Sequence, residues 1–267
     1  MCGIIKNMYN ITIVCFCYKG DEDILPYSLK AAENTFNKSN LKICLVDDGN
    51  NPISNEMVDR LKNTIKCEFV YEISHFERNR NLNGKECIEN IVDRFIQYSN
   101  GRDGLVIKLD PDTMILKRDL FDNFMYNMSN SSYIASTRPG CHFSGICYCI
   151  KTGILKAGRK MLNNFNIPLN KGPEDYIIGL AMSAASIPQL SEMIEVWHPG
   201  EEKSQAVGWN YSNNPPTQES IDMYYNMFDI VTFGNWFIYK NLTLKDRIKP
   251  MEMLLETQKT EHFKNVI

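Results

Sequence analysis

A chain of 267 residues with 43% apolar side chains suits one large domain, or one domain with an appendage, whose core needs no staples. A formal net charge of -3 without any basic block argues against a duplex nucleic-acid partner and leaves a small acidic or neutral substrate open. The nine cysteines are scattered with no Cys-x-x-Cys, no apolar run approaches the roughly 18–20 residues of a membrane span, and the start lacks a signal-like pattern, so a reducing cytoplasm is expected.

In chain order, Ile11 to Cys17 is apolar and β-branched almost throughout, as a strand covered on both faces should be. A polar loop from Tyr18 to Asp23 follows, and Pro26 opens a helix with Leu29, Ala32 and Phe36 on one face. Leu41 to Val46 repeats the strand signal and stops at the turn Asp47-Asp48-Gly49-Asn50. Met57, Leu61 and Ile65 space a second helix, and Cys67 to Ile73 gives a third strand. Cys87, Ile88, Ile91, Val92, Phe95 and Ile96 then mark a helix closed by Asn100-Gly101.

The next strand, Leu105 to Leu109, runs into Asp110-Pro111-Asp112, where the proline ends the ladder and two carboxylates stand one residue apart. Two oxygen ligands on a stiff turn suit Mg²⁺ or Mn²⁺, and such an ion can neutralise a diphosphate; the same tripeptide is also ordinary turn chemistry. Strands alternating with helices predict an α/β architecture, a mostly parallel sheet flanked by helices, which binds ligands beyond the carboxyl ends of its strands. Tyr18, Asp47, Asp48, Asp110 and Asp112 all fall at strand ends, so a turn explains each but not their convergence. Neither Gly-x-Gly-x-x-Gly nor Gly-x-x-x-x-Gly-Lys-Ser/Thr occurs, so phosphates would have to be held by metal.

Beyond that turn, Leu120, Phe121 and Phe124 suggest a short helix and Tyr133 to Ser136 a strand. Arg138 to Gly145 reads as an irregular Gly-bearing loop before a strand from Ile146 to Ile150. Arg138, with its planar fork of donors, is a candidate phosphate contact, and the loop is otherwise an acceptor wall or a plain connection. Glu174 and Asp175 follow Pro173 in the first turn of a helix, where acids complement the helix dipole. A strand-like Met193 to Trp197 ends at His198. Residues 201–218 are expected to form a flap, and the aromatic and basic stretch from Ile221 to Ile248 a helical cap, with membrane contact as the competing reading. The last dozen residues are expected to fray.

The ordered set Ile13 to Tyr18, Leu45 to Asn50, Asn81 to Asn90, Lys108-Leu-Asp-Pro-Asp-Thr113 and Gly172-Pro-Glu-Asp-Tyr176 resembles the GT-A fold nucleotide-sugar glycosyltransferases, most closely the bacterial inverting family 2 type. The resemblance implies a Rossmann-like GT-A catalytic domain over residues 1–200 and a C-terminal flap and helical extension over 201–267. It places Tyr18 against the nucleotide base, with a UDP-sugar favoured, and Asp47 and Asp48 on base or ribose. Asp110 and Asp112 match the metal-site Asp-x-Asp, with Asp112 as the ligand of Mn²⁺ or Mg²⁺ on the diphosphate and Asp110 touching the ribose or a metal-bound water, and His198 is a candidate further ligand, or else a structural or acceptor-contacting histidine. Asp175 matches the general base that takes the acceptor proton, with Glu174 as its helper or a structural acid. The implied reaction moves a sugar onto a hydroxyl of a glycan or lipid-linked glycan, with bacterial surface polysaccharide as the expected product, in the cytoplasm or at the inner face of the membrane. A retaining transferase, an aspartate-dependent phosphohydrolase, a sugar nucleotidyltransferase and a non-catalytic glycan-binding relative are the competing readings.

Overall fold

The computed structural model describes residues 9–76, 82–126, 133–138, 142–167, 174–185, 196–197, 206–209, 216–234 and 244–264. Its first half alternates strand and helix as the periodicities predict: β1 (Asn10–Cys17), α1 (Leu25–Thr35), β2 (Asn40–Asp48), α2 (Asn55–Thr64), β3 (Glu68–Ser74), α3 (Lys85–Ser99) and β4 (Gly104–Leu109). After the Asp-Pro-Asp turn come β5 (Thr113–Ile115), α4 (Asp119–Tyr126), β6 (Tyr133–Arg138), β7 (His142–Lys151), α5 (Leu155–Leu162) and α6 (Glu174–Ala185). The C-terminal part supplies β8 (Val196–Trp197), β9 (Ala206–Gly208), α7 (Gln218–Met227), β10 (Ile230–Thr232) and α8 (Leu244–Lys264).

Among the described residues the main sheet runs β3-β2-β1-β4-β7-β6-β8. It is parallel from β3 through β4 and again between β6 and β8, with β7 antiparallel to both neighbours. β1 sits between β2 and β4, and this explains its composition. Ile11, Ile13, Cys15 and Cys17 enter the core shared with α1, α2 and α4, while Val14 and Phe16 enter the core shared with α3, α5 and α6. A strand buried on both faces has no solvent side on which to alternate polar residues. α3 ends at Asn100 with φ 49, a left-handed residue that stops the helix, as the Asn-Gly pair foretold.

Of the loop expected from Arg138 to Gly145, residues 142–145 are strand, and residues 139–141 lie outside the described ones. β6 and β7 pair antiparallel with Arg138 against His142, so β7 begins at His142, well before the predicted Ile146. Polar residues and a glycine hid this strand, whose order comes from pairing with β6 and, from Cys147 onward, with β4.

A small sheet, β5-β10-β9, lies beside the main one. β5 pairs antiparallel with β10, so the strand leaving the Asp-Pro-Asp turn is continued by C-terminal chain. Met114, Trp209, Ile221, Phe233, Met251 and Leu254 pack there as a third core. α8 continues to Lys264, into the stretch expected to fray, and residues 265–267 lie outside the described ones. Gln258, 3% exposed, donates through Nε2 to the carbonyls of Ala31 and Leu116 (both 3.1 Å) and to Thr35 Oγ1 (2.8 Å), tying α8 to α1 and β5. Gln258→Ala would leave those carbonyls buried without this donor. It is expected to cost about 1–3 kcal/mol, a fall in Tm of a few degrees by calorimetry. No described helix is long and apolar enough to cross a membrane.

Candidate active site

The carboxyl ends of β1, β2, β4 and β6 share one edge of the main sheet, because those strands run in the same direction. Tyr18 follows β1 there, Asp47 and Asp48 end β2, and Asp110 follows β4. Tyr18 is 46% exposed, its ring leaving no room for a Cβ at Gly20. Asp47 is buried, and its Oδ2 accepts from the Ile53 amide (2.9 Å) and the Tyr71 hydroxyl (2.7 Å). These contacts are those of a group that closes the strand-to-loop turn. Asp48 lies nearer the surface, where its Oδ1 accepts from the Asn50 amide (3.0 Å).

The Asp-Pro-Asp turn is held from three sides. The Asp110 amide donates to the Ile146 carbonyl (2.9 Å), so the β4–β7 ladder runs one residue past the strand. The Asp110 carbonyl accepts from the Thr113 amide (3.1 Å), and the Asp112 carbonyl accepts from the Phe233 amide (2.8 Å). Backbone bonds therefore fix the turn and leave both carboxylates to the site.

Lys108 binds the turn to α6. It lies on the buried strand β4 with its ammonium enclosed, donating to Asp110 Oδ1 and to the Gly145 carbonyl, and its Nζ stands 3.4 Å from Glu174 Oε1. Glu174 and Asp175 open α6 as predicted, both buried, and Asp175 Oδ1 accepts from the Tyr176 amide (2.8 Å). On the outer side, Arg247 of α8 approaches Asp112 Oδ2 at 3.7 Å.

Charge is unevenly balanced here. Burial alone would push the Lys108 ammonium down, but Asp110 and Glu174 hold it above its ordinary value. Burial pushes Glu174 up to about 7, with Asp175 and Asp110 adding to the rise and Lys108 opposing it. Burial likewise raises Asp175 against the pull of the Tyr176 amide. Asp112 rises to about 6 through burial and the neighbouring Asp110, with Arg247 opposing. Burial, with one ammonium facing Asp110, Glu174 and Asp175, thus raises both acids at the start of α6.

No group of three or more His, Cys, Asp or Glu side chains able to hold a cation occurs among the described residues. Two carboxylates on one turn are nonetheless what Mg²⁺ takes when substrate phosphates and water complete its shell. Asp110 and Asp112 therefore fit a diphosphate-bound ion rather than an all-protein cage. β8 ends at Trp197 beside Ser136 of β6, and His198, the expected further ligand, lies outside the described residues. Asn81 and the Gly172-Pro173 pair lie outside them too, as does the side chain of Arg138, whose backbone ends β6 at the same edge.

Sequence reasoning missed three participants. Lys108 is a lone base in an apolar strand, Gly145 was assigned to a loop, and Arg247 stood in an aromatic and basic stretch read as a helical cap or a membrane contact. Gly145 has no room for a side chain, because a Cβ would sit 2.8 Å from Glu174 Oε1 and 3.6 Å from Asp175 Oδ2. Gly145→Ala should displace the Glu174 carboxylate from Lys108. Any turnover at this site is then expected to fall by about 10- to 100-fold, with Tm shifted by only a few degrees, in parallel kinetic and melting assays.

No protein-family model matches the chain, and no curated protein matches it by sequence. Solved structures resemble it in three dimensions. The WbbM bifunctional glycosyltransferase in its apo form aligns at TM-score 0.55 and 11% identity, over 96% of this chain and 52% of that one. The fold is one that solved glycosyltransferases share. GlyE of Streptococcus pneumoniae TIGR4 aligns at TM-score 0.50 and 13% identity, over 96% of this chain and 64% of its own. The galactosyltransferase LgtC, solved with donor and acceptor sugar analogues, aligns at TM-score 0.51 and 11% identity, over 93% of this chain and 95% of its own. The chain thus spans about half of WbbM and most of LgtC. What it shares with them is the mixed α/β architecture, a mostly parallel sheet between helices.

Proposed function

We propose that this protein transfers a sugar from a nucleotide-diphosphate donor to a hydroxyl group of a glycan acceptor, with inversion at the anomeric carbon. The observation that carries the proposal is the meeting of two distant segments: the Asp110–Asp112 turn and the first turn of α6, joined through Lys108. One segment offers carboxylates for a diphosphate-bound Mg²⁺ or Mn²⁺, and the other offers two carboxylates that burial raises above their ordinary range, as suits a group that must accept a proton. In this reading Asp110 and Asp112 hold the ion, which as a Lewis acid would stabilise the departing diphosphate. Asp175 takes the acceptor hydroxyl proton, and Glu174 supports it. Tyr18 and Asp48 stand at the edge where a base and ribose would lie, with UDP the favoured nucleotide. A surface polysaccharide, free or lipid-linked, is the acceptor class proposed.

The test is a melting screen of nucleoside diphosphates and their sugar conjugates with Mn²⁺ or Mg²⁺, followed by product stereochemistry by NMR. A donor at a hundredfold excess over its Kd adds about 2.7 kcal/mol, which raises Tm by roughly 5–10 °C in a chain of this size. No shift with any nucleotide under either ion would overturn the reading. A shift followed by a product of retained configuration would leave the transferase and remove Asp175 as base.

A further inference from the structure

Lysine is an unfavourable choice for the centre of a buried strand, since a charge taken out of water destabilises the fold unless it is fully paired. Lys108 is 2% exposed, on a strand whose other residues are all buried. Its register partners are Val14 on β1 and Tyr148 on β7, and an apolar side chain would suit that neighbourhood better. The ammonium has three N–H donors, and three oxygens from three segments surround it. Asp110 belongs to the turn after β4, the Gly145 carbonyl to β7, and Glu174 to α6. Nothing in the strand's own packing calls for a charge there; the residues that do call for it lie on both sides of the gap between turn and helix.

We propose that Lys108 is a positioning residue that holds the Asp-Pro-Asp turn and the first turn of α6 at one fixed separation, so that the groups serving donor and acceptor face each other. The proposal rests on the transferase reading above. Lys108 touches neither reacting group; it acts through Asp110 on the donor side and through Glu174 on the acceptor side. Asp175 inherits its place from Glu174, because both lie in the same helical turn and Asp175 is bound to the next amide. The empty space at Gly145 belongs to the same arrangement, since it lets the Glu174 carboxylate reach the ammonium.

The experiment compares wild type, Lys108→Met, Glu174→Gln and the double variant by melting temperature and steady-state kinetics. Methionine keeps the unbranched side chain as far as Cε and removes the ammonium. Lys108→Met is expected to lower Tm, because Glu174 is left buried beside like charges, and to lower kcat by about 100-fold with donor KM changed by less than about threefold. A lysine that only fills space would instead give unchanged kcat per folded molecule. Adding Glu174→Gln removes the stranded carboxylate, so the double variant should recover most of the lost Tm without recovering kcat. If Lys108→Met does not fold, the double variant decides: folded with low kcat supports the proposal, and unfolded overturns it. A folded Lys108→Met with kcat within threefold of wild type, or a double variant no more stable than the single one, also overturns it. Absence of transfer by wild type would sink the functional reading alone, because the melting comparison still tests the link between turn and helix.

Discussion

Asp112→Asn is expected to reduce sugar transfer by about 10³-fold while the chain stays folded and melts slightly higher. A metal ion acting as Lewis acid contributes several kcal/mol to a developing diphosphate charge, and each 1.36 kcal/mol is about tenfold in rate. Asparagine preserves the shape and the backbone acceptor used by Phe233 but removes the charge that would face the ion. The effect on stability has the opposite sign. Burial and the adjacent Asp110 raise Asp112 to about 6, so above that pH the folded protein carries an anion it disfavours. A raised carboxyl loses stability as pH climbs from its ordinary 3.8 through its folded value, and the neutral amide escapes that loss. Asp112 keeps 22% side-chain exposure and Arg247 lies 3.7 Å away, so the gain should be only about 1 kcal/mol at pH 7.5. Melting curves at pH 7.5 and at pH 4 check the sign, since the advantage of Asn should vanish at the lower pH. A variant as active as wild type would remove the metal role from this turn.

The parts of this architecture legible in the sequence were those with a local cause. Ile11 to Cys17 announces a doubly covered strand because every second residue fails to turn polar, and Asp110-Pro-Asp112 announces an edge because proline cannot continue a ladder. Glu174 and Asp175 were readable as a helix start because acids complement its dipole. What stayed hidden depends on distant partners. β7 gains its order from β6 and β4, so its polar first residues resembled a loop. β10 is three residues long and exists because β5 and β9 lie beside it. Lys108 has meaning only once Glu174 arrives, and Arg247 only once α8 docks near Asp112. Asp47 carries a contact that pattern alone did not show: its Oδ2 accepts from the Ile53 amide and the Tyr71 hydroxyl of its own scaffold. Pattern thus located the edge and most of its carboxylates, whereas the cations that organise them are products of tertiary pairing.

Asp175→Asn is expected to lower kcat by about 10²- to 10⁴-fold, the usual worth of a positioned general base, with donor KM nearly unchanged. The side chain also has a structural part to play, because an acid in the first turn of α6 meets the positive end of the helix dipole. Asparagine separates these roles, since it retains the size and a hydrogen-bond acceptor for the Tyr176 amide but cannot take a proton. A loss of stability larger than about 1 kcal/mol would mark the residue as mainly structural. The pH profile supplies a second discriminator. Burial raises both Asp175 and Glu174, and a base works only when ionised, so wild-type kcat/KM should fall as pH drops below the raised values of this coupled pair. Glu174→Gln removes the group pushed up to about 7, and the acid limb should then move to lower pH while activity at pH 8 persists in part. Asp175→Asn should instead flatten the limb, because the remaining slow reaction no longer depends on that proton. An Asp175→Asn enzyme that keeps the wild-type acid limb and rate would assign the proton transfer elsewhere, and the first turn of α6 would then be scaffold alone.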